Sequence, residues 1–141
     1  MKRMVLLVIG VAAMSAGAFA QAPADAIEKT LAPAPRNLKA GAAVIKFKAD
    51  GTYDTLKPGT NRLVCYDRSG QPGQQPFAVQ CSSVANIPRI VQNMKFEAMP
   101  EKGKAAAEAA EKDGTRVKPE YGSVWYTMNG ADQATDRKSV V

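Results

Sequence analysis

The chain contains no histidine and only two cysteines in 141 residues. Imidazole chemistry, from general base to zinc ligand, is thereby closed to the residues present, and no Cys-x-x-Cys spacing offers a thiolate pair to a metal or to thiol exchange. Also absent is an apolar run of the roughly 20 residues that a membrane-crossing helix needs. A large excess of charge of one sign is missing as well. Formal charge is +6, but Lys2 and Arg3 belong to a leader and the last six residues add about one more, which leaves the middle of the chain near +3. Lys39, Lys46, Lys48, Lys57, Arg62 and Arg68 are scattered among acids and turns rather than gathered on one face with aromatics between them, so no nucleic-acid partner is expected. No metal and no cofactor is expected either.

What is present begins with an export signal. Lys2 and Arg3 precede the apolar run Met4-Val5-Leu6-Leu7-Val8-Ile9, and Ala18-Phe19-Ala20 supplies the small residues a signal peptidase accepts. Gly10, Ser15 and Gly17 break up the second half of the stretch. Residues 1–20 are therefore read as a signal peptide cleaved after Ala20, leaving a periplasmic or secreted protein with no stable membrane anchor. The far end, Asp136-Arg137-Lys138-Ser139-Val140-Val141, matches one reading frame of a common sequencing adapter codon for codon. Residues 136–141 are read as adapter read-through, and the natural domain as truncated near Thr135.

Between these ends the residues predict a lead-in segment over 21–40 and one domain over 41–135. In the lead-in, a short helix after Asp25 is stopped by Pro33 and Pro35, which fix φ and remove amide donors. Ala43-Val44-Ile45-Lys46-Phe47-Lys48 alternates apolar and charged residues as a half-buried strand does, and Asp50-Gly51-Thr52 turns it into a hairpin with 53–56. A second turn, Lys57-Pro58-Gly59-Thr60-Asn61, leads into a strand over 62–67, and Phe77, Val79 and Cys81 alternate along another. Cys65 and Cys81 are expected to pair, because exported chains meet an oxidising compartment. The bridge closes a loop of about seventeen residues, worth roughly 3 kcal/mol by the chain-entropy estimate.

Further on, Ile87, Ile90, Val91 and Met94 recur at helical spacing behind Asn86 and Pro88, a stripe suited to packing on the sheet. The alanine-rich run 105–112 predicts a solvated helix ended by Gly114. Tyr121 to Met128 reads as a last strand carrying the sole tryptophan, followed by a turn at Asn129-Gly130. The expected fold is α+β: a small antiparallel sheet of about four or five strands, one packed amphipathic helix and one disulfide.

Leu63-Val64-Cys65-Tyr66-Asp67-Arg68-Ser69-Gly70, Asn93-Met94-Lys95-Phe96-Glu97 and Gly114-Thr115-Arg116-Val117 with Tyr121-Gly122-Ser123-Val124-Trp125-Tyr126 together resemble a family of exported bacterial proteins that has no assigned function. The resemblance implies a further structured segment beyond Asn129-Gly130, and it brings no activity, cofactor or catalytic residue.

No catalytic residue is nominated. Asp50, Asp54, Asp67 and Asp113 stand beside turn residues, and Ser69 has no recognisable base. The candidate binding surface comprises Tyr66, Asp67, Arg68, Trp125 and Tyr126, with the loop over 69–76 beside them, and its partner is a cell-envelope component or a small ligand. The favoured reading is a non-catalytic cell-envelope binding or structural protein. The alternative is a fragment of a secreted hydrolase-type enzyme whose catalytic residues lie beyond the truncation.

Overall fold

A computed structural model describes residues 23–134 and the backbone of a two-residue strand, Ser139–Val140. The expected signal peptide, residues 1–20, and the rest of 136–141 lie outside the described residues. The elements are α1 (Ala24–Thr30), α2 (Arg36–Lys39), β1 (Ala43–Phe47), β2 (Tyr53–Lys57), β3 (Leu63–Asp67), β4 (Phe77–Ser83), α3 (Ile87–Glu97), α4 (Gly103–Asp113), β5 (Tyr126–Gly130) and β6 (Ser139–Val140). The class is α+β, and the strands lie in the order β2-β1-β3-β4-β5-β6.

Local chemistry builds the expected hairpin. Asp50 Oδ1 accepts the Thr52 N–H at 2.9 Å and the Thr52 hydroxyl at 2.6 Å, while Gly51 takes φ of 86°. A Cβ on Gly51 would stand 2.7 Å from Val91 Cγ1, so this turn also abuts α3.

One junction of the sheet departs from the expectation of an antiparallel array. β1 pairs β2 antiparallel but pairs β3 parallel, with Val44 beside Cys65 and Ile45 beside Tyr66. The second turn does not fold β3 back onto β2. It crosses the start of β1 instead, where the Thr60 and Asn61 N–H groups donate to the Gly41 carbonyl at 2.8 and 3.1 Å and Asn61 Nδ2 donates to the Leu38 carbonyl at 2.8 Å. Gly59 permits the crossing, since a Cβ there would meet the Ala43 nitrogen at 2.6 Å.

Strand alternation sorts the core onto two faces. Ile45, Phe47, Val64 and Tyr66 face α3, whose Ile90 is buried among them with Ile87, Val91 and Met94 alongside, as the helical stripe predicted. The opposite face presents Val44, Leu63, Cys65 and Cys81, and these are covered by Leu31, Ala34 and Ala42 with Ile27 and Leu38 packed at the margin. The lead-in is thus a third layer of the fold. Its short helices are stabilised by the face they cover, because helices of this length do not persist alone in water.

Cys65 and Cys81 stand directly opposite one another on β3 and β4 and are joined by a disulfide, both of them fully buried. α4 packs on α3 at Gly103, where a Cβ would come within 2.0 Å of the Phe96 carbonyl oxygen, and Gly114 closes the helix in the left-handed region. The final strand begins later than its sequence suggests. Residues 121–125 are irregular, and Asn129 and Gly130 lie in β5 opposite Ala78 and Phe77 instead of forming a turn. Beyond them, Ser139 and Val140 pair with Thr127 and Tyr126. Among the described residues no helix is long and apolar enough to cross a membrane.

Candidate functional site

Alternation along β3 and β5 divides the nominated surface. Tyr66 and Arg68 face α3, and Trp125, just before β5, joins the same side. Asp67 and Tyr126 take the other side. Tyr126 packs near the disulfide, and Asp67 sits at the α1 side, bound to Lys29 Nζ at 2.7 Å. Three of the five nominated residues therefore share one place, a hollow of about 330 Å³ between the sheet and α3.

Tyr66 forms the floor of this hollow. Its ring meets Phe47 edge-on at 5.3 Å, and its hydroxyl donates to Gln80 Oε1 at 3.0 Å. Burial pushes the phenol well above its ordinary pKa, against the opposing influence of a hydrogen bond from Trp125 and the positive charge of Arg68. Tyr66 accordingly remains a neutral donor.

Arg68 forms one wall. Its Nη2 binds Glu97 Oε2 at 2.8 Å and its Nε donates to Gln71 Oε1 at 2.9 Å, with the Arg68 side chain 4% and the Glu97 side chain 32% exposed. The same Glu97 oxygen accepts Gln74 Nε2 at 2.9 Å, and Gln80 Nε2 donates to Gln74 at 3.4 Å. The loop over 69–76 is thus strapped to the end of α3, and it communicates with Trp125 through Gln80, which lines the same hollow.

The second wall comes from α3. Arg89, Asn93 and Glu97 stand four residues apart on one helical face beside the apolar stripe, and all three line the hollow. They were not nominated from the sequence. Their spacing is the signal that marks them, although it acquires meaning only when Trp125 and Gln80 are seen opposite.

The connection from α4 to β5, whose Pro119 and Trp125 line the hollow, is held by Asn86. This fully buried side chain donates to Ser82 Oγ and Ser123 Oγ, each at 2.8 Å, and accepts the Glu120 N–H at 2.7 Å. Asn86 stands at the head of α3 without capping it through its side chain. The amide instead organises residues 120–123, which is why Tyr121 to Val124 do not continue the strand.

On the opposite face, Ser69 and Asp67 form a turn. Asp67 accepts the Ser69 N–H at 2.7 Å, while Ser69 Oγ accepts the Ala78 N–H at 3.1 Å and lies 3.3 Å from Lys29 Nζ. Burial acts to raise the Asp67 carboxyl, but hydrogen bonds from Lys29 and Ser69 and the charge of Lys29 outweigh it, and the pKa lies below the usual value. The depressed folded-state pKa makes this link stabilising above the unfolded value near 3.9, and the contribution is lost as pH falls through the folded value. Because both partners are about one-third exposed, the loss amounts to less than about 1 kcal/mol. Urea unfolding of wild type and Lys29→Met between pH 6 and about 2.5 reads it: the gap between them closes on acidification. A gap independent of pH would exclude a role for this ion pair.

Among the described residues no group of three or more acidic or cysteine side chains is placed to hold a metal ion. No protein-family model matches the chain, and no curated protein and no solved structure matches it.

Proposed function

We propose that the protein is an exported, non-catalytic binding protein that takes a small ligand in the hollow between α3 and strands β3 to β5. The observation that carries this reading is the composition of the hollow. Planar polar side chains, Gln80, Arg89 and Asn93, converge around Tyr66 and Trp125 in about 330 Å³, a volume at the lower end of the ~300–1,000 Å³ of small-molecule sites. Rings contribute apolar area at small entropic cost, and the polar side chains orient what rests on them. The buried disulfide supports an oxidising compartment, in keeping with the leader-like start of the chain.

The reading is tested by proton–nitrogen NMR of the full oxidised chain against a library of small fragments carrying neutral, anionic and cationic groups. Saturable shifts at the Trp125 indole N–H and at the Gln80 and Asn93 amides are expected. Absence of shifts from every fragment, or shifts gathered elsewhere on the surface, would remove the hollow from consideration.

A further inference from the structure

We propose that this hollow takes a small monocarboxylate carried on a ring, with Arg89 holding the carboxylate and Trp125 covering the ring; the inference rests on the small-ligand reading above. It begins from the arginines near α3 and the acids available to them. Arg68 is matched by Glu97 at 2.8 Å. Among the described residues Arg89 and Arg116 share one salt-bridge partner, Glu111, at 3.5 and 3.4 Å, and that carboxylate is 61% exposed while the two arginine side chains are 19% and 11% exposed.

Their other hydrogen bonds go to neutral oxygens. Arg89 Nη1 donates to the Val117 carbonyl at 2.5 Å, and Arg116 donates to Gln92 Oε1 and Asn93 Oδ1 at 2.9 and 2.6 Å with its guanidinium 4.9 Å from the centre of the Phe96 ring. Three guanidiniums therefore face two carboxylates, one of them largely solvated. Burial, followed by repulsion from Arg89, lowers the pKa of Arg116 from its ordinary value against the opposing influence of Glu111 and Glu97. Charge in a partly covered position is screened less than on an open surface.

Arg89 is the member of this pair that lines the hollow. A carboxylate fits the planar guanidinium fork better than a neutral hydroxyl does, and its charge balances the surplus. Glu97, two turns further along α3 and paired with Arg68, also lines the hollow and disfavours a dianionic phosphate relative to a monoanion. Trp125 and Pro119 supply apolar lining, with Tyr66 and Ile90 buried behind them, and the Gln80 and Asn93 amides add polar lining for a hydroxyl or amide carried on the ring.

The test uses the full oxidised chain, the sole tryptophan as reporter and four probes: benzoate, cyclohexanecarboxylate, benzamide and cyclohexanemethanol. The carboxylates are expected to shift Trp125 emission saturably, about tenfold tighter than their neutral counterparts, the size of effect that one well-placed charge-assisted hydrogen bond supplies. Their affinity is expected to fall as salt is raised, whereas that of the neutral probes holds. Arg89→Gln brings the carboxylates down to the level of the neutral probes. If that variant loses its fold by circular dichroism, Arg89→Lys is used instead, which retains charge without the fork and is expected to weaken the carboxylates alone.

Equal binding of carboxylates and neutral probes would overturn the carboxylate assignment and leave the binding reading standing. Failure of all four probes while other fragments shift Trp125 would overturn it in the same way. If no fragment of any class binds the hollow, the binding reading itself falls.

Discussion

Loss of the Cys65–Cys81 bond lowers the unfolding free energy by about 3 kcal/mol, most of it through the unfolded chain. In the folded state the two residues face one another across the β3–β4 ladder, from Leu63 opposite Ser83 to Asp67 opposite Val79, so the ladder already holds the loop closed. In the unfolded state only the bridge does so. Cutting it releases a loop of about seventeen residues, and the freed chain gains the entropy that the covalent closure had removed. Both sulfurs are fully buried, so a reductant reaches them only when β3 and β4 open, and reduction under native conditions is expected to be slow.

The measurement is urea unfolding of oxidised protein and of Cys65→Ala/Cys81→Ala. A midpoint shift equivalent to about 3 kcal/mol, with a larger dependence on urea in the open form because its unfolded chain is more expanded, is the expected result. A shift below about 1 kcal/mol would mean that the unfolded chain stays compact at this loop without the bridge.

Asn86→Ala costs roughly 2–4 kcal/mol and loosens the segment between Pro119 and Trp125. The amide serves three groups from two distant parts of the chain, Ser82, Ser123 and the Glu120 N–H. Both hydroxyls keep their own acceptors, since Ser82 Oγ donates to the Val124 carbonyl at 3.0 Å and Ser123 Oγ to the Glu120 carbonyl at 2.6 Å. The Glu120 N–H is left with none. An unpaired polar group costs about 1–3 kcal/mol when buried, towards the lower end at the half-buried Glu120, and the cavity left by the fully buried Asn86 side chain adds to it.

Because residues 120–123 lead directly into Trp125, the variant is also expected to admit a neutral quencher to the indole more readily. Urea unfolding and acrylamide quenching of the single tryptophan read the two effects. Asn86→Asp keeps the acceptor for Glu120 while losing both donations, and should recover part of the quenching protection. A loss of less than about 1 kcal/mol with unchanged quenching would show that the loop is held by its other contacts.

The elements legible in the sequence were those whose causes lie within a few residues. The Asp50–Gly51 hairpin is written by a side chain that accepts its neighbours' hydrogen bonds and by a glycine at positive φ. The stripe Ile87, Ile90, Val91 and Met94 announces the face of α3 that meets the sheet, and Gly114 marks the end of α4. The nominated site was half legible. Tyr66 and Arg68 fall on one face and Asp67 on the other as soon as β3 is recognised as a strand, but the face shared by Trp125 depends on the register that sets Gln80 opposite Thr127 and Cys81 opposite Tyr126.

The α+β class, the disulfide partners, the hairpin and the packing face of α3 follow from the amino-acid sequence, because period, turn chemistry and a single pair of cysteines are local or have one solution. Long-range packing sets β3 parallel to β1, lays the lead-in over the second face of the sheet, and brings Arg89 and Asn93 into one hollow with Gln80 and Trp125. The physical reason is common to all three. Each depends on which distant surface buries an apolar face or satisfies a polar group, and the chain crossing at Gly59 and the amide of Asn86 settle that choice through contacts between residues far apart in sequence.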